Sequence, residues 1–212
     1  MLPRHNASAS LGAWGLWTTP DKRIVFIAAN KTKGKQKVLT LKLGTWNVRT
    51  MTPGLSDNPQ QVSDVRKTAV INNELCRLQV DIIALQKTRL PESGIIKERD
   101  YSFFWQDKAA HKTREHGVSF AIKNNLLGSI IPPPEGTERL LKLKLQTSAG
   151  LISTYAPALT SASELKDRFY DVLSAAISKV PLQEPLFIFA DFNARVDTDH
   201  SSWPTCLGHF GI

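Results

Sequence analysis

The chain lacks what membrane and secreted proteins carry. No apolar run approaches the roughly 20 residues needed to cross a bilayer. The longest, residues 23–30 and 186–190, are strand-sized, which excludes a transmembrane helix. Cysteine is scarce: Cys76 and Cys206 are too few for a disulfide framework and have no metal-ligand spacing. The first twenty residues, with Arg4, His5 and a short apolar patch at 11–17, make a poor signal peptide. These shortages point to a reducing compartment, nuclear or cytoplasmic, and away from secretion. The sequons Asn6-Ala7-Ser8 and Asn30-Lys31-Thr32 then read as chance matches.

Acidic residues are also short, 19 against 27 Lys and Arg, for a net charge of +8 over 212 residues. The imbalance is local. Residues 1–42 hold eight basic residues and one acid, Asp21, whereas residues 43–212 hold nineteen against eighteen. The basicity therefore belongs to the start of the chain, above all to Lys31, Lys33, Lys35 and Lys37. A lysine run is ordinarily a solvated tail; the other reading is a nucleic-acid contact or nuclear address. With 42% hydrophobic and 22% charged residues, disorder along the whole length is excluded.

No internal repeat is visible. Residues 1–40 read as a basic, poorly ordered leader, with 23–30 as a possible strand, and 41–212 as one domain. Within the domain, 41–47 and the continuous apolar run 80–86 read as strands. A helix is expected over 62–78, with Val65, Ala69 and Cys76 on one stripe and Ile71, Leu75 and Leu78 beside it. Short strands are expected at 101–105 and 117–122, an alternating strand at 141–145, and further strands at 151–155 and 186–190. Ser161 with Glu164 three residues later predicts a capping box. The helix it opens places Leu165, Phe169, Val172, Leu173, Ala176 and Ile177 on one face. Strands flanked by two long helices make an α/β layered domain.

The polar residues at the ends of the buried strands are informative. Apolar runs stop in Trp46-Asn47, in Gln86-Lys87-Thr88-Arg89, in Tyr155-Ala156-Pro157 and in Asp191-Phe192-Asn193. Polar residues gathered at one sheet edge suit the pockets of α/β enzymes. Turns also favour Asn and Asp, so no single one of these residues decides the matter.

Five segments in order carry a family resemblance: Gly44-Thr45-Trp46-Asn47-Val48; the run from Ile82 through Gln86-Lys87-Thr88 to Leu90; His116-Gly117-Val118 and the apolar residues to Ile122; Thr154-Tyr155-Ala156-Pro157; and Ala190-Asp191-Phe192-Asn193-Ala194-Arg195-Val196. From about Leu41 to Ile212 the chain resembles the endonuclease/exonuclease/phosphatase superfamily. Within it the likeness is to the endonuclease region of RTE-type LINE retrotransposons and their host-encoded relatives. The resemblance implies a four-layer α/β/β/α sandwich whose cleft hydrolyses phosphodiesters of DNA with Mg²⁺. It also implies roles by position: Asn47 at the metal and phosphate, Tyr155 on the phosphate, Asp191 and Asn193 orienting water and binding phosphate. Such a site suits a hard cation that takes oxygen ligands and polarises the phosphoryl group.

The chain departs from the family in two places. The family reads Gln-Glu-Thr where this chain has Gln86-Lys87-Thr88. An ammonium has no lone pair to give, and it repels a dication. At an effective dielectric near 20, a unit pair at ~4 Å is worth about 4 kcal/mol, and the double charge doubles it. Lys87 either points to solvent in a degenerate copy or replaces the metal as a phosphate clamp. Secondly, family members continue past Gly208-His209-Phe210-Gly211-Ile212 into most of the second sheet and a closing Ser-Asp-His motif. On that reading the fold's second half is largely missing. Asp199-His200 comes too soon after the Asp191 signature to serve as that motif, and His116 precedes a strand; neither inherits the role. A shortened second sheet would uncover inner-face side chains at roughly 1.5–3 kcal/mol each, leaving the chain marginal or dependent on a protein partner. A cooperative melt above ~60 °C would contradict that.

The expectation is a truncated, retroelement-derived relative of a Mg²⁺-dependent DNA endonuclease, impaired by Lys87 and by loss of the Asp-His motif. The alternative is a non-catalytic nucleic-acid- or protein-binding remnant. A small-molecule phosphatase is less favoured, because no headgroup-binding motif is visible.

Overall fold

The computed structural model describes residues 16–19, 22–28, 40–51, 67–107, 116–131, 136–146 and 149–194. The seven-stranded first sheet has the order β1-β2-β3-β4-β7-β6-β5. Its strands are β1 (Leu16–Thr19), β2 (Lys22–Ala28), β3 (Thr40–Asn47), β4 (Ile82–Gln86), β5 (Ser93–Lys97), β6 (Tyr101–Gln106) and β7 (Val118–Lys123). The second sheet is built on β10 (Leu140–Leu145), β11 (Gly150–Tyr155) and β12 (Leu186–Asp191). The two-residue strands β8 (Ile130–Ile131) and β9 (Gly136–Thr137) both pair with β10. Helix α1 (Lys67–Leu78) returns the chain from β3 to β4, and α2 (Ser163–Ser178) returns it from β11 to β12. Each helix thus closes a parallel pair, since parallel neighbours need a crossover connection.

The layers arise from strand alternation. Leu43, Ile82, Ala84, Phe104 and Phe120 of the first sheet share one buried cluster with Leu141, Leu143, Leu151 and Phe189 of the second. That is the central core. Alternate residues of the same strands point outward: Ile83, Leu85, Phe103 and Ala121 pack with Ile71 and Leu75 of α1. Leu140, Ile152 and Ala156 pack with Phe169, Leu173 and Ala176 of α2. The result is the α/β/β/α sandwich, and the uncovered inner face anticipated from a shortened second sheet is not found among the described residues.

Three expectations are corrected. The stretch read as a leader contains β1 and β2, and its possible strand at 23–30 is β2, which pairs with β3 from Arg23↔Thr45 to Ala28↔Thr40. Its backbone occupies the edge that β3 would otherwise leave open. The capping box is not formed: Ala162 is the N-cap of α2, with no side-chain cap bond. The broad apolar face of α2 is only half used, since Leu165, Val172 and Ile177 are exposed. Only the Phe169, Leu173 and Ala176 stripe meets the sheet, because one helix on a flat sheet face touches along a single line of side chains. The α1 expectation holds over Lys67–Leu78; residues 62–66 lie outside the described residues. Strand β5 escaped prediction because its short Ser-Gly-Ile-Ile-Lys sequence carries little strand signal. No helix among the described residues is long and apolar enough to cross a membrane.

Candidate functional site

The last inward-facing residues of the four parallel-paired strands meet at one end of the sandwich. Asn47 ends β3 opposite Gln86 at the end of β4, and Tyr155 ends β11 opposite Asp191 at the end of β12. The two sheets are tied together there. Asn47 Nδ2 donates to Asp191 Oδ2 at 2.6 Å. Below them, the buried Gln86 amide bridges the sheets, accepting from Thr45 Oγ1 at 3.1 Å and donating to Ser153 Oγ at 3.4 Å.

The chain leaves these strands through tight polar turns. Arg49 N–H donates to Asn47 Oδ1 at 2.9 Å, and Asn193 N–H donates to Asp191 Oδ1 at 3.0 Å. Both are side-chain-closed turns of the kind Asn and Asp favour, and Arg49 and Asn193 accordingly sit at φ 62° and 47°. Asn193 Nδ2 reaches back to the Ala156 carbonyl at 2.7 Å, locking the end of β12 onto the end of β11. Asn47, Tyr155, Asp191 and Asn193, widely separated in sequence, are brought to one place.

Lys87 comes directly after Gln86 in the left-handed region, φ 59°, and Arg89 shares that region at 57°. A non-glycine residue there costs roughly 1–2 kcal/mol. The β4 exit is held by Thr88 N–H on the Gly117 carbonyl at 3.1 Å, Arg89 N–H on the His116 carbonyl at 2.9 Å and Met51 N–H on the Thr88 carbonyl at 2.7 Å. Gly117 is required there. At φ 93°, a Cβ would lie 2.4 Å from Thr88 Oγ1 and 2.9 Å from Arg89 N. The Lys87 ammonium makes no hydrogen bond or ion pair among the described residues.

Sequence reasoning missed Arg139. It lies in the turn between β9 and β10 and is only 9% exposed. Its Nη1 donates to the Tyr155 carbonyl at 3.1 Å, and its Nη2 lies 2.8 Å from His116 Nε2. The guanidinium carbon stands 5.7 Å from the Tyr155 ring centroid, and the His116 ring is 6.1 Å away on the same tyrosine. The one available signal was a lone arginine directly ahead of an alternating strand. Lys31, Lys33, Lys35 and Lys37, with His200, lie outside the described residues.

No family model matches the chain. Craniofacial development protein 2 of Tragulus javanicus and of Bos taurus are each 25% identical to it over 173 residues, 80% of this chain. The alignments cover 27% and 26% of those proteins, so the chain spans about a quarter of the length of the curated relatives it matches. Among solved structures the chain is similar to a 3′ phosphatase, NExo, from Neisseria bound to product DNA hairpin. That match has a TM-score of 0.47 and 17% identity, covering 76% of this chain and 62% of that one.

The Mg²⁺ that the sequence resemblance implies finds few donors among the described residues. Asp191 ends β12 and accepts hydrogen bonds from Asn47 and from Asn193; a second carboxylate, the buried Asp107 just past β6, lies beside Thr88 and Gly117 at the β4 exit. Among the described residues no three His, Cys, Asp or Glu side chains cluster as metal ligands. The position after Gln86 offers an ammonium in place of a carboxylate. What the site does offer is amide donors, a phenol and cations: Lys87 and Arg89 at the β4 exit, Arg49 in the turn after Asn47, and the buried Arg139. These are groups for holding an oxyanion.

Proposed function

We propose that this chain is a phosphodiester-directed module, descended from a retroelement endonuclease, whose cleft holds a DNA phosphate without metal-assisted hydrolysis. The observation that carries the reading is a strand exit that bears Lys87, where the family pattern resembled in the sequence reads Glu, close to an Asp191 carboxylate held by Asn47 and Asn193. Asn47 and Asn193 present polar edges and Tyr155 a phenol, while Lys87 contributes a point charge on a flexible stem to a phosphate oxygen. The basic segment with Lys31, Lys33, Lys35 and Lys37 adds sequence-independent attraction to the DNA backbone. A nuclear or cytoplasmic setting suits that reading.

The test uses the full chain with supercoiled plasmid in Mg²⁺ and, in parallel, anisotropy of a fluorescein-labelled duplex in EDTA. We expect duplex binding in EDTA and no nicking above buffer. Lys87→Glu alone is expected to restore no nicking, since one carboxylate added to Asp191 still leaves a dication short of protein donors. Nicking by the unaltered chain that Asp191→Asn abolishes would overturn the reading in favour of an active endonuclease.

A further inference from the structure

We infer that Arg139 is the positioning residue of the cleft: its buried guanidinium fixes the Tyr155 ring and carbonyl, and so sets the phenol's contact with a phosphate group. The inference rests on the reading of the cleft as a phosphodiester site, and it assigns a residue that no strand-end motif contains.

Three contacts converge on Tyr155 from Arg139. Nη1 donates to the Tyr155 carbonyl, so the backbone at the end of β11 is held from the β9–β10 turn. The guanidinium stands over the ring at 5.7 Å, within reach of cation–π attraction. The third contact passes through His116. A guanidinium can only donate, so His116 Nε2, 2.8 Å from Nη2, must accept and the ring proton sits on Nδ1. That imidazole also packs on the Tyr155 ring, at 6.1 Å between centroids with a 44° tilt. Tyr155 is thus gripped on its carbonyl and its ring, and both holds lead back to one planar fork. The Arg139 carbonyl closes the arrangement by accepting from Tyr155 N–H at 2.9 Å and from Thr154 Oγ1 at 2.9 Å.

A residue that merely fills the turn would tolerate lysine, which keeps charge and length. The fork geometry predicts otherwise, because an ammonium cannot satisfy the Tyr155 carbonyl and His116 Nε2 in one plane. The full chain is labelled with 3-fluorotyrosine. It holds three tyrosines, and Tyr155→Phe identifies the Tyr155 fluorine signal. Arg139→Lys is expected to shift or broaden that signal while the Tyr101 and Tyr170 signals stay in place. It is also expected to weaken duplex binding in EDTA about five- to tenfold, the net worth of about one hydrogen bond. In a Tyr155→Phe background the same substitution is expected to cost less than about twofold, since a positioning effect vanishes with the group positioned. Should Arg139→Lys fail to fold, His116→Ala removes one acceptor from the fork and is expected to move the same signal less. An unmoved Tyr155 signal, or equal costs in both backgrounds, would overturn the inference. If the unaltered chain binds no duplex while the signal still moves, the proposed function fails and the hold of Arg139 on Tyr155 stands.

Discussion

The carboxylate of Asp191 has opposite effects in a metal-bearing and a metal-free cleft, and its substitution separates them by sign. Without a dication, the carboxylate stands as a negative charge beside the phosphate it helps to frame. Asp191→Asn is then expected to tighten duplex binding in EDTA severalfold, while costing about 1–2 kcal/mol of stability from one lost acceptor. Weaker binding of that variant in Mg²⁺ would mean that the carboxylate holds a cation after all. A second residue-scale effect lies midway along α1. The buried Asn72 accepts from the Asp100 and Tyr101 N–H groups, each at 3.1 Å, and donates to Asp100 Oδ2 at 3.0 Å. Hydrogen bonding from Asn72, then from Arg99, holds the Asp100 carboxyl below its ordinary value. A depressed folded value stabilises above the unfolded pKa, about 3.9, and that contribution is lost as pH falls through the folded one. The melting temperature should therefore drop on acidification below about pH 4, and Asp100→Asn should flatten that slope. Asn72 was not legible as core: apolar periodicity marks Ile71 and Leu75, whereas a buried amide is recognised only by the backbone donors it satisfies.

At the scale of elements, strand ends and the buried face of α1 were legible, whereas the extent of the buried face of α2 was not. Asn47, Gln86, Tyr155 and Asp191 could be anticipated together because each closes an apolar run, and parallel pairing brings run ends to one edge. The six-residue apolar face of α2 overstated burial, since periodicity reports what a helix could bury and the facing sheet decides what it does. Substitutions should separate these cases. Leu173→Ala, beneath the helix, is expected to cost about 2–4 kcal/mol by chemical denaturation. Leu165→Ala, on the same sequence face but exposed, is expected to stay within about 0.5 kcal/mol. Equal costs would mean that the outer stripe of α2 is covered in solution. The Arg139 turn offered only a lone arginine ahead of an alternating strand, because its contacts with Tyr155 and His116 are made across the fold.

At the scale of the molecule, charge and architecture have to be tested apart. The basic segment carrying Lys31, Lys33, Lys35 and Lys37 falls between Ala28 of β2 and Thr40 of β3 in the sequence, and those two strands pair along six residues. Deleting residues 1–39 would strip β1 and β2 from the first sheet, so a loss of DNA binding would say nothing about the lysines. Replacing the four with glutamine leaves the strand sequences intact. Each lysine that neutralises a phosphate contributes close to −0.9 to the slope of log affinity against log salt. The four-fold variant is therefore expected to bind duplex more weakly at low salt, with a slope shallower by about three to four, and to melt with the unaltered chain. An unchanged slope would confine DNA contact to the strand ends, where Arg49, Lys87, Arg89 and Arg139 are the cations described. A changed melting temperature would instead make the lysines part of the β2–β3 connection, and their charge incidental to it.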